Sequence, residues 1–525
     1  MVEYVDNIEK KEDLQKAKVI ETYNIVTDNV ALEVNIIDDE KAFVRRYFLN
    51  FPSYGPGTTA LLNNLRGNIL SDASMSGGRE MGSKFVAQAR KKFRERAEKL
   101  LASEKGIPDE AKRQLIVILL NEMLGLGKIE FLLADANLEE IVVNSSKTPV
   151  WVYHKKYGWL LTNIKMRDED ETENYSNIIA RRIGKQITIL EPLLDAHLVS
   201  GDRANATLFP ISSAGNTITI RKFRRDPWTV TDFINGKTAN KEVMALIWMI
   251  MEYEMNMIVS GGTGSGKTSF LNVCMPFIQP NHRILTIEDT RELMLPPFLH
   301  WVPLTTREPN PEGKGGVTML DLLVNSLRMR PDRIIVGEIR RQREAEVMFE
   351  AMHTGHSVYT TFHANTAEET IRRFVNPPVN IPPTMLESVH LNIVMFRNRR
   401  LGVRRILQVA EFLPERRGGK DEIKANVLYR WRGSDDQIVP HGESIRLFDE
   451  LSMHTGFSRG EIDEELARKQ NVIAWMLKFD LHDVTDVGRV MASYYRDPEE
   501  VMSMIQKGEA PQKGADAEEK AKEGQ

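Results

Sequence analysis

The residues best suited by type and spacing to do chemistry are Gly261, Gly262, Thr263, Gly264, Ser265, Gly266, Lys267 and Thr268. They fit the pattern G-x-x-x-x-G-K-[ST], in which glycines let the backbone turn until successive N–H groups face the oxygens of a phosphate. An apolar run, Met257–Ser260, enters this loop and an apolar helical pattern, Ser269–Ile278, leaves it. Lys267 is then expected to hold the β- and γ-phosphates of a nucleotide, and Thr268 to ligate Mg²⁺. A structural Gly-rich turn would leave Lys267 unexplained.

Binding needs only the loop; hydrolysis also needs one carboxylate near the metal and another to orient water. Two later apolar runs end in acids. Arg283–Ile287 leads into Glu288-Asp289-Thr290-Arg291-Glu292, and Arg333–Val336 leads into Gly337-Glu338-Ile339-Arg340. In doubly wound sheets, sites lie at the carboxyl ends of strands, where these acids fall. Alone, each could be a helix cap or a solvated turn residue. His356 and His363 bracket a further strand, Ser357–Thr361, and are expected at the γ-phosphate edge in a sensing or positioning role.

These residues need elements to position them. From Lys241, apolar strand candidates (Met257–Ser260, Arg283–Ile287, Arg333–Val336, Ser357–Thr361, Asn392–Phe396) alternate with helical patterns, as in a mostly parallel α/β sheet. Residues 111–226 mix short strands with helices, which suggests an α+β layer. Residues 1–110 hold a strand-like Val30–Ile37, a break at Pro52–Gly57 and a helical pattern over Lys84–Leu101 with a basic face, either solvated or set against an anionic partner or lipid headgroups. The expected organisation is an N-terminal, mostly helical extension (1–110), the α+β domain (111–226), a linker (227–240), the α/β core (241–415), a mostly helical C-terminal extension (416–506) and a disordered tail (507–525).

The chain has 525 residues, 42% apolar and 27% charged, with a net charge of −4. That excludes wholesale disorder and does not favour a nucleic-acid binder that uses its whole surface. Cys274 is the one cysteine, so neither a disulfide framework nor a four-cysteine zinc site is possible. The start lacks the pattern of an export signal, and no apolar run approaches the roughly 20 residues of a spanning helix, so a cytoplasmic, soluble or peripheral protein is expected.

The ordered set Gly261–Thr268, Ile284–Asp289, Val336–Arg340 and Thr354–His363 resembles the Walker A, Asp, Walker B and His boxes of the type II/IV secretion ATPase superfamily. The Gly-Glu form at Gly337-Glu338 is usual there. Leu138–Asn144 and Gly201–Ala206 resemble the family's sensor-like (PAS-like) N-terminal domain. A long N-terminal extension, a C-terminal helical segment and the missing tetracysteine motif resemble the archaeal branch, the archaellum motor and type IV pilus assembly ATPases.

The resemblance implies a RecA-like P-loop ATPase, working as a homo-hexamer with ATP and Mg²⁺ on a membrane-embedded platform protein at the inner face of the cell membrane. Glu292 would be the water-activating base, Glu338 would support Mg²⁺ and the γ-phosphate, and His356 and His363 would be the His-box residues. Arg203 and Arg221 would reach the nucleotide, with Arg307, Arg330 and Arg340 as further arginine candidates. No zinc and no nucleic acid are expected. Two other readings stay open: a DNA-transfer motor using Arg397, Arg399, Arg400, Arg404 and Arg405, and a nucleotide-gated scaffold without turnover.

Overall fold

The computed structural model describes residues 18–28, 30–38, 43–51, 83–102, 107–198, 201–223, 226–309 and 313–511. The turn expected at Pro52–Gly57 and the tail beyond residue 511 lie outside them. The chain divides into two units, residues 1–224 and 225–525.

The first unit is built on one sheet. Its strands are β1 (Lys18–Thr27), β2 (Val30–Asp38), β3 (Arg46–Leu49), β4 (Leu138–Val143), β5 (Pro149–His154), β6 (Gly158–Lys165), β7 (Leu193–His197), β8 (Arg203–Thr207) and β9 (Thr217–Arg221), in the order β1-β2-β3-β6-β5-β4-β9-β8-β7. Among these pairs β3–β6 is parallel and the rest are antiparallel. Burial alternates along β5 and β6, as expected for a sheet with one packed face. Helices α1 (Ser83–Ala102), α2 (Asp109–Leu124), α3 (Ile129–Ala134) and α4 (Glu169–Arg182) accompany it. The N-terminal residues thus supply three strands as well as a helix, because Val34, Ile36, Tyr47 and Leu49 are fully buried in the unit's core. Part of the basic face of α1 is already paired: Arg94 lies 3.1 Å from Asp28, and Arg90 bonds the same carboxylate.

The second unit carries a second sheet. Its strands are β10 (Met257–Gly261), β11 (Ile284–Glu288), β12 (Trp301–Thr305), β13 (Arg333–Val336), β14 (Ser357–Phe362), β15 (Leu391–Asn398), β16 (Val403–Arg417), β17 (Lys420–Arg432) and β18 (Gln437–Pro440). The order is β12-β11-β13-β14-β10-β15-β16-β17-β18, parallel as far as β15 and antiparallel beyond it. Every residue of β10, β11, β13 and β14 is buried, the pattern of parallel strands covered on both faces. Counted from β10, the inner strands run 5-1-4-3-2, which is the RecA-like arrangement. The boundary expected at residue 415 falls inside β16, which continues the core sheet.

Among the described residues, the helices that accompany this sheet are α5 (Val230–Asn235), α6 (Lys241–Glu252), α7 (Lys267–Cys274), α8 (Met319–Ser326), α9 (Gln342–His353), α10 (Ala367–Val375), α11 (Leu447–Thr455), α12 (Arg459–Lys478), α13 (Val484–Arg496) and α14 (Pro498–Lys507). The segment expected to be a linker contains α5, anchored in the core by fully buried Val230 and by the Thr231 hydroxyl donating to the Leu481 carbonyl. A Thr229/Asp232 capping box starts that helix, and the turn signals on either side of it, Asp226-Pro227 and Asn235-Gly236, made the segment read as a linker.

Helix α6 is buried at every position from Val243 to Met251, so it needs cover on all sides. The C-terminal helices supply it. Trp248 stacks on Phe277 at 5.7 Å and donates to the Tyr495 hydroxyl at 2.7 Å. Lys469 of α12, fully buried, lies 2.5 Å from Glu252 and 2.8 Å from Glu465, with its ammonium 4.4 Å from the Trp248 ring centroid. Removing one partner of such a cluster leaves charge buried without compensation. Lys469→Met is expected to destabilise the second unit by about 3 kcal/mol, seen as a lower denaturation midpoint, and combining it with Glu252→Gln and Glu465→Gln to recover part of the loss.

Candidate functional site

The phosphate loop joins β10 to α7 with its glycines in the left-handed region where the turn requires them, φ +70° at Gly264 and +93° at Gly266. The Lys267 ammonium donates to the carbonyls of Gly261 (3.0 Å) and Gly262 (3.2 Å). Burial pulls its pKa below the ordinary lysine value, the carboxylates of Glu338 and Glu292 push it back up, and Arg340 pulls it down.

Parallel β11 and β13 deliver those acids. Gly337 donates its N–H to Ile287 O (2.8 Å) and Ile339 its N–H to Thr361 O (3.2 Å), so the turn after β13 is stitched to the strands on both sides. Arg340 donates to Glu338 at 2.8 Å and to Asp289 at 3.0 Å. A cavity of about 440 Å³ is lined by Glu338, Arg340, His363 and Arg373, among others.

Glu288 has a part that sequence reasoning did not give it. It is 2% exposed, and its Oε1 accepts the N–H of Glu292 (2.9 Å) and of Leu293 (3.1 Å), fixing the backbone that carries Glu292. Among the described residues its Oε2 has no partner. Burial pushes its pKa up to about 7, against the pull of those two N–H groups. A Cβ on Gly337 would lie 3.5 Å from Glu288 Cγ, so an Asp there would set a second carboxyl against this buried one. The signal in the sequence was an acid ending an otherwise apolar run.

The histidines separate. His363 follows β14 at the loop end of the sheet, where its Nε2 and the Thr263 hydroxyl are 2.9 Å apart. His356 precedes β14, seven positions earlier, against Ala351 O (3.3 Å) and Thr354. At about 3.3 Å per residue that places it some 20 Å away, at the opposite edge of the sheet, so within this chain it does not join the loop. Arg330, in the turn before β13, sits at that far edge too. Arg307 follows β12 and donates to Gly315 O at 2.6 Å. In the first unit, Arg203 and Arg221 are register partners on β8 and β9, and Arg203 is held by Asp195 at 3.0 and 2.5 Å.

The arginine cluster at the β15–β16 hairpin is divided. Arg405 is buried and bidentate to Asp436 (2.7 and 2.8 Å), Arg399 and Arg400 are exposed, and Arg404 donates to Gly264 O at 3.1 Å. Of the five, Arg405 is withdrawn from the surface.

A left-handed glycine loop heading a helix, a lysine folded into it and carboxylates on the next strands define a P-loop nucleotide-binding protein. The type II/IV secretion system protein family matches residues 200–405. An uncharacterized protein of Methanocaldococcus jannaschii is 35% identical over 397 residues, 74% of this chain and 71% of that protein. A second one from the same archaeon is 38% identical over 245 residues, 45% of this chain and 87% of its own length. The type IV secretion system protein PtlH of Bordetella pertussis is 29% identical over 302 residues, 51% of this chain and 88% of PtlH. The chain belongs to the type II/IV secretion system ATPase family, and the relatives from an archaeon fit its archaeal branch.

The state of Glu288 carries a pH signature. A carboxyl held near pKa 7 in the folded chain and near 4.5 when unfolded contributes fully below pH 4.5, and that contribution is lost as pH rises through about 7. Between pH 4.5 and 8, stability measured by denaturation should therefore shift in favour of Glu288→Gln over the native protein by about 3 kcal/mol.

Proposed function

We propose that this chain is an ATP hydrolase whose turnover drives a secretion- or pilus-type machine. The observation that carries this is the left-handed glycine turn between β10 and α7, with the Lys267 ammonium folded onto the Gly261 and Gly262 carbonyls, at the strand ends that also carry Glu292 and Glu338. An ammonium and a helix N-terminus bind the polyphosphate, and acids from two adjacent strands face the same charge.

Each residue has a part. Lys267 leaves its two carbonyl partners for the β- and γ-phosphates. Glu292, on backbone fixed by Glu288, orients water and takes its proton. Glu338, with Arg340 beside it, secures the metal side of the γ-phosphate. His363, held by Thr263, reports whether that phosphate is present. Among the described residues, no group of three or more His, Cys, Asp or Glu side chains could hold a metal by itself. The oxygen donors of Thr268 and Glu338 suit Mg²⁺ shared with a nucleotide's phosphates, and Mg²⁺ would neutralise charge developing there. Arg203 and Arg221 are carried as proposed nucleotide ligands on the family resemblance, as are the homo-hexamer and the platform protein at the membrane. No helix among the described residues is long and apolar enough to cross a membrane, so the work would pass through such a partner.

Steady-state phosphate release tests the reading. Lys267→Ala should abolish turnover and nucleotide binding together. Glu292→Gln and Glu338→Gln should bind ATP and lose at least about 100-fold in turnover. Native-like hydrolysis by either Gln variant contradicts the assignment of that residue, and no hydrolysis by the native protein contradicts the whole reading.

A further inference from the structure

The hairpin formed by β15 and β16 ends over the phosphate loop. Gly261 pairs in register with Met395, so the residues just beyond Met395 run alongside the loop. Arg397 and Arg404 are direct register partners, which puts both side chains on one face of the hairpin. Arg405, one position on, points to the other face and is buried against Asp436. The alternation of the strand thus sorts two arginines toward the loop and one away from it.

Both of them meet the loop. Arg404 Nε donates to Gly264 O at 3.1 Å. Its Cδ lies 3.4 Å from where a Cβ on Gly266 would stand. Arg397 Nη1 lies 2.7 Å from the corresponding position on Gly264, so a side chain there would strike the guanidinium. The Gly264–Ser265 peptide is planar and trans, so its carbonyl and its N–H point in opposite directions. With the carbonyl held outward by Arg404, the Ser265 N–H faces into the loop, where it donates to Gly262 O at 3.3 Å. That N–H is among the donors a phosphate would take over.

We propose that Arg397 and Arg404 form the outer wall of the nucleotide site. Arg404 is a positioning residue that sets the orientation of the Gly264–Ser265 peptide. Arg397 closes the same side and adds a second fixed positive charge within a Debye length of a bound polyphosphate. Arginine suits the first role because Nε, rigid in the guanidinium plane, reaches the carbonyl while the rest of the fork stays free; a lysine ammonium on a flexible stem does not reproduce it. The ligand class is a nucleoside di- or triphosphate, in preference to a monophosphate that lacks the charge the wall faces. This inference rests on the nucleotide reading of the loop and deepens it.

The test is equilibrium binding of ADP and AMP, with steady-state hydrolysis of ATP, by the full chain carrying Arg404→Met, Arg404→Lys or Arg397→Met. Lys267→Ala serves as the control, and thermal melting shows that each variant is folded. Arg404→Met should weaken ADP binding about tenfold or more, raising KM with kcat little changed. Arg404→Lys should recover less than half of that loss in binding free energy. Arg397→Met should weaken ADP binding several-fold, by a factor that shrinks as salt rises. AMP binding should change less than ADP binding in each. Native ADP affinity in Arg404→Met and Arg397→Met, while Lys267→Ala has lost it, overturns the wall and leaves the nucleotide reading standing. Full rescue by Arg404→Lys overturns the positioning role. Failure of the native protein to bind ADP overturns the nucleotide reading itself.

Discussion

An anion-binding turn is a set of aligned N–H dipoles and one ammonium, and the rest of the second unit depends on holding that set together. Glycines at φ +70° and +93° make the turn possible, but glycines do not hold a turn in place. Here the fixing comes from outside the loop. Thr263 meets His363 at the end of β14, Gly264 O meets Arg404 from the hairpin, and Lys267 folds onto two loop carbonyls while carboxylates from β11 and β13 act on its charge. One tether thus comes from the end of β14 and one from the β15–β16 hairpin, on the two sides of β10.

That arrangement explains why the sheet is parallel and why it needs so much cover. Parallel strands bring their carboxyl ends to one edge, so Glu288, Glu338 and His363 arrive next to the loop although they are far apart in sequence. Parallel strands must also be covered on both faces. Helix α6, apolar from Val243 to Met251, and the C-terminal helices provide one cover, locked by Trp248, Tyr495 and the buried Lys469. The C-terminal segment is thus part of the motor core's packing. Helix α5, between residues expected to form a linker, is tied into the same core.

The loop was legible in the sequence because its chemistry is local: eight residues, an apolar strand before them and a helix after. Glu338 was legible for a related reason, since an acid directly after a fully apolar run marks a strand end. The arginines of the hairpin were not. That β15 lies next to β10 is a property of strand order, which no local pattern carries, and five arginines within nine residues read as a surface patch. Strand alternation divides them between the loop, solvent and Asp436. The histidines show the converse error: seven residues are close in sequence, but along an extended strand they span the sheet. In the first unit, β7 (Leu-Leu-Asp-Ala-His) lacks the alternation that reveals a half-buried strand, and of β1–β3 the strand-like run Val30–Ile37 showed β2 alone.

The most direct test of the central claim is a structure of the full chain with Mg²⁺ and a non-hydrolysable ATP analogue. The β-phosphate should lie against the N–H groups of residues 264–268, and the Lys267 ammonium should have moved from the carbonyls of Gly261 and Gly262 to phosphate oxygens. Glu292 and Glu338 should stand on the γ-phosphate side. A nucleotide bound elsewhere, with Lys267 still donating to those two carbonyls, would contradict it.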